Sequence, residues 1–166
     1  MNGVLKLMMV KHPEMKDVNT AKNVIKQIMQ EIVLCSLGRT DFFDKAAFNG
    51  GTALRIFHGL TRFSEDLDFS VDKEKISLFS IESYKLTIDN EMESLGIPAE
   101  FFIDTDMSTV QRGYIRGNCK EVFRAFGIEE QVTAKVASNE VLKIKIEADT
   151  TPLDAASFEH KFLLKP

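Results

Sequence analysis

Phe48-Asn49-Gly50-Gly51-Thr52-Ala53-Leu54-Arg55-Ile56-Phe57-His58-Gly59-Leu60-Thr61-Arg62-Phe63-Ser64-Glu65-Asp66-Leu67-Asp68-Phe69 reads as a short strand, a two-glycine turn, two turns of helix, a loop and a second strand. The first half ends in a helix N-terminus, where free backbone N–H groups and the helix dipole favour an anion. Gly50 and Gly51 present backbone with no Cβ in front of it, as close approach to a phosphate requires. In the second half, Asp66 and Asp68 are two residues apart. On a strand that spacing puts both carboxylates on one face and sends Leu67 and Phe69 into the core behind them. A Gly-Gly turn alone is ordinary punctuation, and Asp-x-Asp alone is ordinarily solvated. Side by side they describe a phosphate cradle next to hard oxygen ligands, a site for a metal–nucleotide complex. Arg62, between them, adds a fixed positive charge and a bidentate donor fork.

Before this stretch, Val24, Ile25, Ile28, Met29, Ile32 and Val33 recur in pairs four apart, which predicts a helix over Asn19 to Leu37 stopped by Gly38. That helix reads as packing. Residues Val4 to Val10 read as an edge strand or an arm, and Asp41 to Lys45 as a short turn or helical piece leading into a buried first strand, 46–48. After it, Asp72-Lys73-Glu74-Lys75 is a solvated turn. Ile81, Tyr84, Ile88, Met92 and Leu95 follow helical spacing over 80–95, ended by Gly96-Ile97-Pro98. Residues 99–104 read as a strand, and Thr109 to Arg116 as ambiguous, with Gly113 marking a bulge or bend. Cys119 to Phe126 reads as a short helix, and Arg112, Arg116, Lys120 and Arg124 around it as scattered surface charge. In Leu142 to Ala148, Ile144, Ile146 and Ala148 alternate with Lys143, Lys145, Glu147 and Asp149, which predicts a strand with one wet face. Sheet order does not follow from periodicity.

At 166 residues the chain fits one domain spanning 1–166, and 44% hydrophobic with 28% charged residues excludes a disordered chain. A net charge of −4 argues against a generally basic nucleic-acid surface. Cys35 and Cys119 lack metal-ligand spacing and read as reduced, buried thiols; zinc is not expected. His12, His58 and His160 share no ligand spacing, and no constellation supports a serine or cysteine hydrolase. Without a membrane-length apolar run or a signal-peptide pattern, a cytoplasmic location is expected.

Gly50-Gly51-Thr52-Ala53-Leu54-Arg55 followed by Arg62-Phe63-Ser64-Glu65-Asp66-Leu67-Asp68-Phe69 resembles the signature of the AbiEii/AbiGii toxin family of nucleotidyltransferases, a branch of the polymerase-β-like superfamily. The match is close over 48–69 and looser from near residue 20 to near 145. It implies an α/β fold of the nucleotidyltransferase type, a small mixed sheet with helices packed on it. It implies catalytic and metal-holding roles for Asp66, Asp68 and a third carboxylate, Glu147, with Asp149 in reserve. It further implies nucleotide binding by Gly50, Gly51, Thr52, Arg62 and Ser64, with Mg²⁺ or alternatively Mn²⁺. The implied activity is transfer of a nucleotide from a nucleoside triphosphate to an RNA or protein acceptor, by the toxin of a bacterial toxin–antitoxin or phage-defence pair with an antitoxin partner. Family members usually continue into a helical half carrying a further lysine and aspartate, and nothing within Leu153 to Pro166 resembles it. The same carboxylates also suit a metal-dependent phosphodiesterase or nuclease, and a chain lacking that half suits a catalytically incomplete nucleotide-binding module.

Overall fold

The structure is a computed structural model, and it describes residues 1–12, 15–104, 109–152 and 157–162. Five strands form one mixed sheet: β1 (Ala46–Asn49), β2 (Leu67–Val71), β3 (Glu100–Ile103), β4 (Val110–Asn118) and β5 (Val141–Asp149), in the order β1-β2-β5-β4-β3. Only β2 and β5 run parallel, and the chain builds β3 and β4 before returning to lay β5 beside β2. Parallel neighbours need such a long crossover, because a tight turn joins only antiparallel strands.

The alternation in β2 and β5 sorts their side chains as the sequence predicts. Leu67, Phe69, Val71, Leu142, Ile144, Ile146 and Ala148 are buried. Against this apolar face pack α2 (Val18–Leu37) and α4 (Lys85–Ser94), with α5 (Cys119–Ala125) at one end. Asp17 caps α2 by accepting from Thr20 N–H at 2.9 Å, and twelve of the helix's residues are buried, which explains its length. Beneath β2, the Phe42 ring meets Phe69 edge-on at 4.8 Å and Tyr84 at 4.9 Å. This aromatic cluster clamps the strand that presents Asp68. α3 (Gly50–His58) rises from the end of β1 and packs on β1 and β2.

Five expectations change. Val4 to Val10 is neither strand nor arm but most of a helix, α1 (Gly3–Val10), because Asn2 caps it by accepting from Val4 N–H at 2.8 Å and Leu5 anchors it in the core. The ambiguous stretch from Thr109 is the nine-residue strand β4, paired in unbroken register with β5. Gly113 marks no bulge: a Cβ there would come within 2.4 Å of the Phe101 ring, so glycine answers close packing. The helical pattern over 80–95 divides into a 3₁₀ turn, Ile81–Tyr84, and α4. Cys119 is buried, but Cys35 is exposed; neither forms a disulfide. A short helix that periodicity does not reveal, α6 (Glu130–Thr133), completes the described elements. Leu163 and Leu164, singled out in the sequence, lie outside the described residues.

Candidate active site

The face of the sheet away from α2 and α4 is polar, and its register sets the site. Asn49 pairs with Asp68, Asp68 with Glu147, and Glu147 with Arg112, so these four side chains form one row across β1, β2, β5 and β4. Asp66 stands one residue before β2, with Lys145 two residues before Glu147 on β5. The Lys145 ammonium bridges Asp66 Oδ2 at 3.1 Å and Glu147 Oε2 at 3.0 Å. Asp66, Asp68 and Glu147, the three carboxylates that the family resemblance singles out, are therefore neighbours on this face around Lys145. Asp149 follows Glu147 on the same face and accepts from Thr151 N–H and Oγ1 at 2.8 Å each.

The glycine turn meets these carboxylates directly. Gly50 has φ +75°, and a Cβ there would lie 2.4 Å from Asp68 Oδ2. A Cβ on Gly51 would lie 2.9 Å from Ser64 Oγ. The space that the glycines leave is thus used by Asp68 and Ser64, which a phosphate reading of the turn alone does not anticipate. Asn49 caps α3 without a side-chain hydrogen bond, leaving the first N–H groups of this nine-residue helix to other partners. Thr52 is completely buried, and its hydroxyl donates to the Asp66 carbonyl at 2.5 Å, so its side chain ties the turn to the strand. Arg62 is exposed on the loop and makes no ion pair among the described residues.

Asn49, Asp68, Ser70, Glu147 and Asp149 line a recess of about 210 Å³ on this face. Asn49 Nδ2 donates to Ser70 Oγ at 2.6 Å inside it. A larger recess of about 570 Å³ lies by Asp89, Glu93, Glu100, Phe102 and Arg116. It has no glycine turn, and Asp89 already accepts from Lys85 Nζ at 2.6 Å and from Phe101 N–H at 2.7 Å. The smaller recess is the candidate site, because Asn49, the N-cap of α3, and three carboxylates line it.

Electrostatics mark the cluster. Burial, then the negative charges of Asp66 and Glu147, push the Asp68 carboxyl above its ordinary value of 3.8, against the pull of Lys145. Burial lowers Lys145, but its hydrogen bonds to Glu147 and Asp66 outweigh that and raise it. Arg112 Nε stands 3.4 Å from Glu147 Oε1 but makes no hydrogen bond: the two share charge without alignment.

Among the described residues, no three carboxylate, imidazole or thiolate groups stand at coordinating distance from one point. The Lys145 ammonium stands between Asp66 and Glu147 and pairs with both. The donor chemistry fits a divalent cation: hard carboxylate oxygens from Asp66, Asp68 and Glu147, with one cation already shared between two of them.

A family model described as nucleotidyl transferase AbiEii toxin, type IV toxin–antitoxin system, matches residues 32–159. The chain belongs to this family. AbiEii membership agrees with the mixed five-stranded sheet and its helices, and it makes the chain kin to nucleotidyl transferase toxins of toxin–antitoxin systems. No curated protein and no solved structure matches the chain. No helix among the described residues is long and apolar enough to cross a membrane.

Two consequences can be measured. Because Asp68 is raised in the folded protein, the native state holds its proton more tightly than the unfolded state, so its charge costs stability above the raised pKa. Asp68→Asn should therefore be level with or more stable than wild type at neutral pH. The gain should vanish as pH falls through the raised pKa and past the ordinary 3.8. Urea unfolding at a series of pH values reads this directly. Lys145→Ala should cost about 1 kcal/mol of stability in chelator, since the pairs it breaks are only partly buried. The same variant should bind Mn²⁺ more tightly than wild type without nucleotide, because no ammonium competes for Asp66 and Glu147.

Proposed function

We propose that the chain binds a nucleoside triphosphate through the N-terminus of α3 and transfers its nucleotidyl group in a metal-dependent reaction. The observation that supports this reading is that Asp66, Asp68 and Glu147 are neighbours on one sheet face, with Asp68 directly against a glycine-opened helix. Asp66, Asp68 and Glu147 would hold one or two divalent cations, Mg²⁺ or Mn²⁺. Such ions neutralise charge on a triphosphate and on the oxygens attacking and leaving its phosphorus.

The backbone N–H groups at Gly50 and Gly51 aim the helix dipole at the phosphates, favouring the charge that gathers on departing pyrophosphate. Arg62 supplies an exposed donor fork to the same phosphates, and the Ser64 hydroxyl adds a donor beside Gly51. Glu147 lies on the β5 side of Asp68, across from the turn, and orients an acceptor hydroxyl by accepting its hydrogen bond. In the transfer, the acceptor oxygen bonds to the α-phosphorus, the bond from that phosphorus to the bridging oxygen of the β-phosphate breaks, pyrophosphate leaves with the bond's electrons, and the acceptor's proton passes to the Glu147 carboxylate and on to water. Membership in a toxin–antitoxin family makes an antitoxin a proposed partner, an RNA or protein a proposed acceptor and the cytoplasm the proposed place of action.

Incubation with each triphosphate labelled at the α- or the γ-phosphorus, with Mg²⁺ and total bacterial RNA and protein, tests the reaction class. Retained α-label with γ-label released as pyrophosphate is expected. Cleaved nucleic acid without retained label would establish the phosphodiesterase reading, and binding without either would leave a nucleotide-binding module.

A further inference from the structure

Gln30 lies one turn after Lys26 on the flank of α2, away from the stripe of Ile25, Ile28, Met29 and Ile32, and is completely buried. An amide in that position is costly unless both its ends are satisfied. Both ends reach toward the site. Nε2 donates to the Ser64 carbonyl at 3.0 Å, and Oε1 accepts from Arg55 Nη2 on α3 at 2.9 Å. The Arg55 guanidinium lies 6.0 Å from the centroid of the Phe63 ring. One turn earlier on α2, Lys26 Nζ reaches Glu65 Oε2 at 2.6 Å. The three consecutive loop residues Phe63, Ser64 and Glu65 are thus each held from α2 or α3, while Thr52 ties Asp66 behind them.

This network faces the glycine turn. The Ser64 hydroxyl lies where a Cβ on Gly51 would meet it at 2.9 Å, so the position of the Ser64 backbone decides whether that hydroxyl stands beside the turn. An apolar residue at position 30 would remove the donor to the Ser64 carbonyl and the acceptor for Arg55 Nη2 together. Gln30 also precedes residue 32, where the family match begins.

We infer that Gln30 is a positioning residue for nucleotide binding: by holding the Ser64 carbonyl and Arg55 together, it sets the Ser64 hydroxyl against the glycine turn as a phosphate donor. The inference rests on the triphosphate reading of the site and adds the residue that orders its loop. Gln30 does not touch the ligand; it acts through Ser64.

The test is a double-mutant cycle read by calorimetric titration of GTP, ATP, CTP and UTP with Mg²⁺, together with urea unfolding of every variant. Gln30→Leu and Ser64→Ala should each weaken the triphosphate bound best by wild type about tenfold, or about 1.4 kcal/mol. The double variant should bind no worse than Ser64→Ala alone, although the stability lost through Gln30→Leu should be the same in both backgrounds. Should Gln30→Leu fail to fold, Gln30→Glu takes its place. It keeps the size and the acceptor for Arg55 but turns a carboxylate on the Ser64 carbonyl, and the same non-additivity is expected. Full affinity in the Gln30 variant, no effect of Ser64→Ala, or equal losses in both backgrounds would each overturn the inference while leaving the triphosphate site standing. Wild-type protein that binds none of the four triphosphates would overturn the site itself, and the inference with it.

Discussion

Replacing Gly50 with alanine is expected to destabilise the protein by about 2–4 kcal/mol, the largest stability effect of any single methyl group at the site. Two costs combine. A residue with a Cβ at φ +75° pays about 1–2 kcal/mol for the left-handed backbone. The added carbon would also lie 2.4 Å from Asp68 Oδ2 and 3.1 Å from Asp68 Cβ, so the carboxylate must swing away. That second cost belongs to a pair and can be separated from the first. In a Gly50→Ala, Asp68→Ala double variant the clash with the carboxylate is removed, and the backbone part with the 3.1 Å contact to the remaining Cβ should be left in urea unfolding. Unchanged stability in Gly50→Ala would mean that the turn and Asp68 do not meet as described. The variant should also bind Mg²⁺-triphosphate more weakly, because the displaced carboxylate is a proposed ligand.

The Asp66→Asn, Asp68→Asn double variant should lose about a hundredfold in Mg²⁺-dependent triphosphate affinity, or about 2.8 kcal/mol, at about tenfold for each charged ligand. Asparagine keeps the shape and removes the charge, so the loss should come without unfolding. Stability should instead stay level or rise, because Asp68 carries its charge against burial and two neighbouring carboxylates. The two readouts moving in opposite directions are the signature of a site that spends stability on ligand binding. Equal affinity of wild type and double variant would remove the metal from the account.

The half of the site written in local sequence was legible. Asp66-Leu67-Asp68-Phe69 fixes its own faces through the two-residue period of a strand, and Gly50-Gly51 announces a turn into a helix. Glu147 was reachable because Val141–Asp149 alternates so regularly, and the family resemblance chose among its charged residues. What sequence could not supply was register. β4, lying between β5 and β3, completes the sheet, and only its pairing places Arg112 beside Glu147. Its Gly113 looked like a break because a glycine demanded by the Phe101 ring is indistinguishable, in sequence, from one demanded by a bend. Lys145 stood in view on the wet face, but a lysine two residues from a glutamate signals nothing until Asp66 is known to lie opposite.

Gln30 was illegible for a different reason. It falls off the apolar stripe beside Lys26, where periodicity reads an amide as an ordinary solvated residue. Its meaning comes from contacts with residues 25 and 34 positions away. Asn49 and Ser70 were missed similarly: each looks like an ordinary strand residue until the antiparallel pairing of β1 and β2 brings both into the recess.

The central claim, that the row from Asn49 to Glu147 is a cation-dependent nucleotide site, is tested most directly by nuclear magnetic resonance of ¹⁵N-labelled protein. Substoichiometric Mn²⁺ is added in the presence of a triphosphate. Paramagnetic broadening should centre on the amides of Asn49 to Gly51, Asp66 to Phe69 and Ile146 to Ala148. Broadening centred instead on Asp89, Glu93 and Glu100, around the larger recess, would contradict it.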